Sequence, residues 1–164
     1  MVENILKIFK ITMFENKIVK IGIINDKLSY IGFEQDNIHD FYNKYTIRNV
    51  IKDDEFIKYI NFLRKFENKE KIELDFQDLF LPNLTQKQIE ILKELCKLDY
   101  GQYKTYSDFA KDIKKSDHTR FIASCMGKNP ILLLIPCHRL ISKNLDIKYR
   151  SGREIKSFLI KNNY

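Results

Sequence analysis

The stretch Gly127-Lys128-Asn129-Pro130-Ile131-Leu132-Leu133-Leu134-Ile135-Pro136-Cys137-His138-Arg139 decides how the rest of the chain is read. Five apolar residues, Ile131 to Ile135, lead into Pro136-Cys137-His138-Arg139. A cysteine beside a histidine is the minimum set for an activated sulfur, because the thiolate is the nucleophile and a base must make it. Proline suits the first position of a helix. Cys137 is therefore expected in a first helical turn, where the positive end of the dipole lowers a thiol pKa. Residues i and i+1 on a helix do not face each other, so His138 is expected to reach Cys137 through a bridging water. Most buried cysteines only pack, so the dipeptide is read in its context.

Upstream of this stretch the pattern is helical. Thr85 and Gln88 form a capping-box pattern that opens a helix carrying Ile89, Leu92 and Leu95 on one face. Asp99-Tyr100-Gly101-Gln102 is a turn, and a second helix is expected from about Ser107 with Phe109, Ala110 and Ile113. After a polar break at residues 114–117, a third helix is expected from about His118 to Met126. Two short helices joined by a few polar residues resemble a helix-turn-helix. The second of them presents Arg120 and then the small residues Ala123, Ser124, Cys125 and Gly127. Such a face suits close approach to another surface, and it equally suits tight helix packing.

The front of the chain reads differently. Residues 5–14, 17–24 and 28–34 are rich in Ile, Val and Phe with period-2 stretches, and Glu15-Asn16 and Asn25-Asp26 between them fit hairpin turns. Phe56, Ile57, Ile60 and Leu63 recur at helical spacing over residues 54–67, behind the acids Asp53, Asp54 and Glu55. This predicts a small antiparallel sheet backed by a helix. Residues 69–84, with a charged run and then Leu81-Pro82-Asn83, are the best boundary. The expected class is α+β in two domains, 1–78 and 79–164.

Charge divides along the same line. Residues 82–164 carry 16 Lys and Arg against 8 Asp and Glu, whereas residues 1–81 carry 13 against 14. A basic back half suggests a polyanion partner for that half alone, and a merely Lys-rich surface reads the same way. Cys96, Cys125 and Cys137 have no CxxC spacing and are odd in number, which argues against a disulfide framework or a zinc finger. His39, His118 and His138 are too scattered for an evident metal site. No apolar run approaches the ~20 residues of a membrane span. Glu3, Lys7 and Lys10 interrupt the first apolar run, which argues against a cleaved signal peptide. A cytoplasmic location is the expectation.

From about Leu84 onward the chain resembles the O6-alkylguanine-DNA alkyltransferases, the methylated-DNA–protein-cysteine methyltransferases. Asn129-Pro130 and Ile135-Pro136-Cys137-His138-Arg139-Leu140-Ile141 are similar to that family's active-site motif. Residues 101–110, with Thr105-Tyr106 and Ala110, are similar to a second family segment, and Arg120 precedes Asn129 at the family's spacing. The resemblance implies a ribonuclease-H-like N-terminal domain of scaffold character and a winged-helix-like C-terminal domain with a helix-turn-helix. It implies transfer of an alkyl group from O6-alkylguanine in double-stranded DNA to Cys137, one turnover per molecule, as a monomer and with neither cofactor nor metal.

By the same resemblance His138 acts through water as the base, Asn129 braces the turn, and Tyr106 donates a hydrogen bond to the departing guanine. Arg120 fills the gap left by the flipped nucleotide, while Ala123, Ser124, Lys128 and Arg139 complete a DNA-binding set. Tyr149, Arg150, Ser151 and Leu140 are assigned to the guanine pocket. Two departures stand out. The pocket loop reads Tyr149-Arg150-Ser151-Gly152 where the family has Tyr-Ser-Gly-Gly, and it aligns in two registers. The family's histidine-orienting glutamate falls near Asn163, and Glu154 is the one acid in the last helix. Slower thiolate formation is the expectation. Two other readings stay open: a non-catalytic sensor of alkylated DNA, and a helix-turn-helix regulator indifferent to Cys137.

Overall fold

A computed structural model of the chain describes residues 4–144 and 148–164. Their contacts separate into two compact units, one of Met1–Asn83 with Pro130–Leu134, the other of Leu84–Asn129 with Ile135–Tyr164. The architecture is α+β with a mixed sheet.

In the first unit β1 (Ile5–Met13), β2 (Lys17–Ile24) and β3 (Lys27–Phe33) form the expected meander. Asn25 and Asp26 both take positive φ, 49° and 63°, the backbone that a two-residue hairpin turn needs to match strand twist. Lys7 pairs with Ile23 and Met13 with Lys17 in the first hairpin, which leaves Phe9, Ile11 and Met13 on one face and Leu6 and Ile8 on the other. A short helix α1 (His39–Tyr42) precedes β4 (Thr46–Asn49), which pairs parallel to β1 and gives the order β3-β2-β1-β4. The sheet is therefore mixed, not antiparallel throughout. Thr46-Ile47-Arg48-Asn49 carries a single apolar residue, so periodicity gives no sign of it; its pairing rests on a crossover that only tertiary structure supplies.

Helix α2 (Ile57–Glu67) follows a 3₁₀ turn at Asp54–Phe56. Its buried stripe is Tyr59, Leu63 and Phe66 together with Phe56. Ile57, expected inside, is 48% exposed, so the helix is rotated from the face its aliphatic residues marked. The aromatic rings decide the rotation. Phe56 stacks on Phe9 at 5.4 Å and Phe66 meets Phe14 at 6.2 Å, contacts that bury more apolar area than an isoleucine can. The Arg64 guanidinium donates to the Thr12 carbonyl at 2.8 Å, and Glu67 accepts from the Phe14 amide at 2.7 Å. On the opposite face Leu6, Ile8, Ile24, Tyr30, Ile38 and Tyr42 form a second core. The outer edge of β3 is covered by two short bridges, to Leu79 and to Ile131.

The second unit is mainly helical. Helix α3 (Gln86–Leu95) starts on the expected capping box, Thr85 accepting from the Gln88 amide at 3.2 Å and Gln88 from the Thr85 amide at 2.9 Å. A two-residue strand β5 (Lys104–Thr105) runs straight into α4 (Tyr106–Asp112). Thr105 caps α4 by accepting from the Asp108 amide at 3.1 Å, so the helix begins one residue before the position expected. Lys114 at φ 59° turns the chain into a 3₁₀ turn, Ser116–His118, and α5 (Thr119–Gly127). Helix α5 packs on α3 and α4 through Ile122 and Cys125. After the cysteine turn, β6 (Leu140–Ile141) pairs parallel to β5, and α6 (Arg153–Lys161) closes the unit. Among the described residues no helix is long and apolar enough to cross a membrane.

Candidate functional site

The segment from Asn129 to Arg139 is built from tight turns, not from a helix. Pro130 and Leu132 are held to β3, the Ile31 amide donating to the Pro130 carbonyl at 2.9 Å and the Leu132 amide to the Ile31 carbonyl at 3.1 Å. Leu133 then takes φ 71°, with the Leu134 amide bonded to the Leu132 carbonyl at 2.8 Å. That is a γ-turn of the strained kind, rare for a residue with a branched side chain. Strain of this type costs about 1–3 kcal/mol. Burial offsets it, since Leu132, Leu133 and Ile135 are each 1% exposed or less.

Pro136 forms a second three-residue turn. Its φ of −83° and ψ of 63° match the relaxed inverse γ-turn, and the Cys137 amide donates to the Ile135 carbonyl at 2.8 Å. Cys137–Arg139 is a single 3₁₀ turn flanked by Pro136. The expected α-helical first turn, with proline inside it, is therefore corrected: a three-residue turn has little macrodipole to lend. Asn129 is 1% exposed and donates from Nδ2 to the Ile135 carbonyl at 2.9 Å, which ties the two ends of the turn together.

Cys137 is 5% exposed and His138 fully buried. Burial pushes the Cys137 thiol up, while a hydrogen bond with the Asn129 side chain and the charges of Lys156 and Arg150 pull it down. Burial pushes the His138 imidazole down to about 3, helped by the Arg139 charge and opposed by a hydrogen bond to the Tyr164 main chain. His138 is thus a neutral imidazole at ordinary pH, and neutral imidazole is the form that accepts a proton. The expected low thiol pKa from a helix dipole is overturned, since desolvation outweighs every favourable contact. Asn163, at φ 60°, lies against Gly101, and it is the main chain of Tyr164 that acts on His138.

Arg139 does not face solvent. It is 5% exposed, with Nε donating to the Tyr164 main-chain oxygen at 2.8 Å and Nη1 to the Leu98 carbonyl at 2.5 Å. Its guanidinium lies 4.8 Å from the Tyr100 ring centroid. Guanidinium stays charged even when buried, so these partners take the place of solvent and fix the end of the chain beside His138. Its assignment as a DNA contact is corrected to a structural one.

The remaining site residues divide cleanly. Arg120, Ala123, Ser124 and Lys128 are exposed on or beside α5, opposite the buried Ile122 and Cys125. Ser124 donates to the Phe121 carbonyl at 2.7 Å, and a Cβ added at Gly127 would meet nothing within 4 Å. Ala123, Ser124 and Gly127 therefore leave an open surface, while Cys125 serves packing. Tyr106, the first residue of α4, is half-buried, as are Tyr149 and Arg150; Ser151 and Leu140 are buried. Arg150 donates from Nη1 to the Asn129 carbonyl at 2.6 Å, which joins the loop after residue 148 to the residue that braces the cysteine turn.

Lys156 was not singled out from the sequence. It is 1% exposed, and Nζ donates to the Leu140 carbonyl at 2.7 Å and the Lys148 carbonyl at 3.2 Å. Its signal was its phase: it stands three residues before buried Leu159, on the inner face of α6.

The second unit thus carries an exposed small-residue face on α5 and a buried Cys-His turn. Residues 86–163 match the family described as the 6-O-methylguanine DNA methyltransferase DNA-binding domain. The inducible methylated-DNA–protein-cysteine methyltransferase of Bacillus subtilis is 44% identical over 77 residues, 46% of this chain and 43% of that protein. The corresponding methyltransferase of Methanosarcina acetivorans is 29% identical over 137 residues, 66% of this chain and 86% of that protein. The match thus spans less than half of the Bacillus relative's length. In fold, the chain is similar to Mycobacterium tuberculosis OGT solved in complex with DNA, with TM-score 0.73 and 19% identity, over 97% of this chain and 92% of that one.

Proposed function

We propose that the chain repairs DNA by direct transfer of an alkyl group from O6 of guanine to Cys137. The observation that carries this reading is the adjacency of buried Cys137 and neutral, fully buried His138 in a turn that Asn129 holds shut, within a stretch that matches the DNA-binding domain of the methyltransferase family. In the reaction the Cys137 proton passes through water to His138. The thiolate attacks the alkyl carbon, a C–S bond forms, and the C–O6 bond breaks with its electron pair left on guanine. Tyr106 donates a hydrogen bond to the departing base. The thioether is stable, so each molecule acts once, as a monomer and without a cofactor.

The target carbon lies inside the duplex, so the nucleotide has to leave the stack. We assign the exposed face of α5 to the minor groove, only ~6 Å wide, which Ala123 and Ser124 are small enough to enter. Arg120 fills the vacated place, and Lys128 contacts phosphate. Tyr149, Arg150, Ser151 and Leu140 line the guanine pocket. On this reading residues 1–78 are a ribonuclease-H-like scaffold, residues 79–164 a winged-helix-like domain with a helix-turn-helix of α4 and α5, and the protein works in the cytoplasm.

The test is a peptide mass spectrum after incubation with duplex DNA bearing one O6-methylguanine. A gain of one methyl group on the Cys137 peptide, absent in Cys137→Ala, is the expected result. Tight lesion binding without a mass gain would turn the reading to a sensor of alkylated DNA.

A further inference from the structure

The base beside Cys137 is weak: burial leaves His138 neutral down to about pH 3, and the group that opposes this is the Tyr164 main chain. What surrounds the sulfur instead is positive charge. Lys156 is buried on the inner face of α6 and ties the Leu140 carbonyl, three residues past Cys137, to the Lys148 carbonyl at the entry of the loop of Tyr149. Arg150, from that loop, reaches the carbonyl of Asn129, whose side chain in turn holds the Ile135 carbonyl two residues before Cys137. The cations are thus anchored on both flanks of the turn. Carbonyls orient an ammonium or guanidinium but do not cancel its charge. A buried cation is costly on its own: burial pushes the Lys156 ammonium down, and the charge of Cys137 opposes that shift.

We propose that Lys156 and Arg150 are positioning residues that form a cationic frame, stabilising the Cys137 thiolate by charge while fixing the turn that carries it. The frame works alongside His138 in making the sulfur reactive. It deepens the transfer reading and rests on it. The proton still leaves for His138 through water; the frame lowers the cost of the anion left behind. Arg150 is the chain's own departure from the Tyr-Ser-Gly-Gly loop, and on this view it accompanies the loss of the glutamate.

The test titrates the thiolate directly, as the ultraviolet absorbance difference between the full chain and its Cys137→Ser variant across pH. Methyl transfer is assayed separately on the same samples. Lys156→Met is expected to move the midpoint up by at least about one pH unit, a tenfold loss of thiolate at fixed pH. Lys156→Arg is expected to restore most of it, and Arg150→Gln to give a smaller upward shift. A role in loop structure alone would lower the transfer rate and leave the midpoint in place. Unmoved midpoints in folded Lys156→Met and Arg150→Gln overturn the frame. Should Lys156→Met not fold, Arg150→Gln decides by the same criterion. If the midpoints shift as expected but wild-type protein takes up no methyl group, the frame stands and the transfer reading fails.

Discussion

Arg120 and Lys128, at the two ends of α5, stand in solvent, whereas Arg139 and Lys156, beside the cysteine turn, are 5% and 1% exposed. The residue types are the same, and the environment sets what each can do. On α5 a cation is free to meet phosphate, where its worth is screened by salt and summed with its neighbours. At the turn each cation has exchanged water for main-chain carbonyls: Leu98 and Tyr164 for Arg139, Leu140 and Lys148 for Lys156. Such a group holds loops in place and sets the local potential, and it has no freedom to bind anything outside. Charge counts along a sequence cannot separate the two kinds. The basic excess of the back half therefore overstates the charge offered to DNA.

The sharpest way to break this contrast is Arg139→Ala. Hydrogen bonds to a charged donor are worth ~1.5–3 kcal/mol each, so losing both should destabilise the protein by about 3 kcal/mol. The urea midpoint is the readout. The salt dependence of DNA binding should keep its slope, because no phosphate contact is lost. A slope reduced by about one, with stability unchanged, would put Arg139 back on the surface.

What was legible in the sequence follows from the same contrast. Local signals held wherever local energies decide the structure: the Asn25-Asp26 hairpin turn, the Thr85-Gln88 capping box and the helix that carries Arg120 all stand where pattern placed them. Cys137, His138 and Asn129 were legible because their motif is contiguous, and the structure brings them into one turn. Strand β4 was not legible, since a parallel partner is chosen by the crossover and not by its four residues. The γ-turn at Leu133 escaped because its backbone strain is offset by burial that no window of sequence displays. Pro136 fits an inverse γ-turn as well as a helix start, its φ being fixed near the same value in both. Arg139 and Lys156 were misread or missed for one reason: a cation's partners here are carbonyls 8 to 41 residues away.

A second prediction concerns the proton that the buried turn refuses. The His138 pKa falls from 6.5 to about 3 on folding, so between those values the unfolded chain binds a proton that the folded chain does not. Stability from neutral His138 is complete above about pH 6.5 and is lost as pH drops toward 3. By pH 5 the loss should reach ~2 kcal/mol. His138→Gln should flatten the profile in that window, whereas changing exposed His39 or His118 should not. A wild-type profile equal to that of His138→Gln would mean the imidazole takes up its proton in the fold.

The smallest effects belong to the exposed face. Lys128→Ala should leave stability within ~0.5 kcal/mol and lower the salt slope of DNA binding by about 0.9. Arg120→Ala separates electrostatics from its proposed place in the base stack. If Arg120 only contacts phosphate, its loss resembles that of Lys128, and a fixed fraction of bound DNA reacts at the wild-type rate. If it fills the vacated stack, the reaction of saturated duplex slows as well, because the flipped state loses the contact that offsets part of the unstacking cost. Free O6-benzylguanine needs no flipping and should react with the variant as with wild type. Single-turnover transfer at saturating protein, with duplex and free base side by side, distinguishes these. Equal slowing on both substrates would mean that Arg120 acts through the fold, which its exposed position argues against.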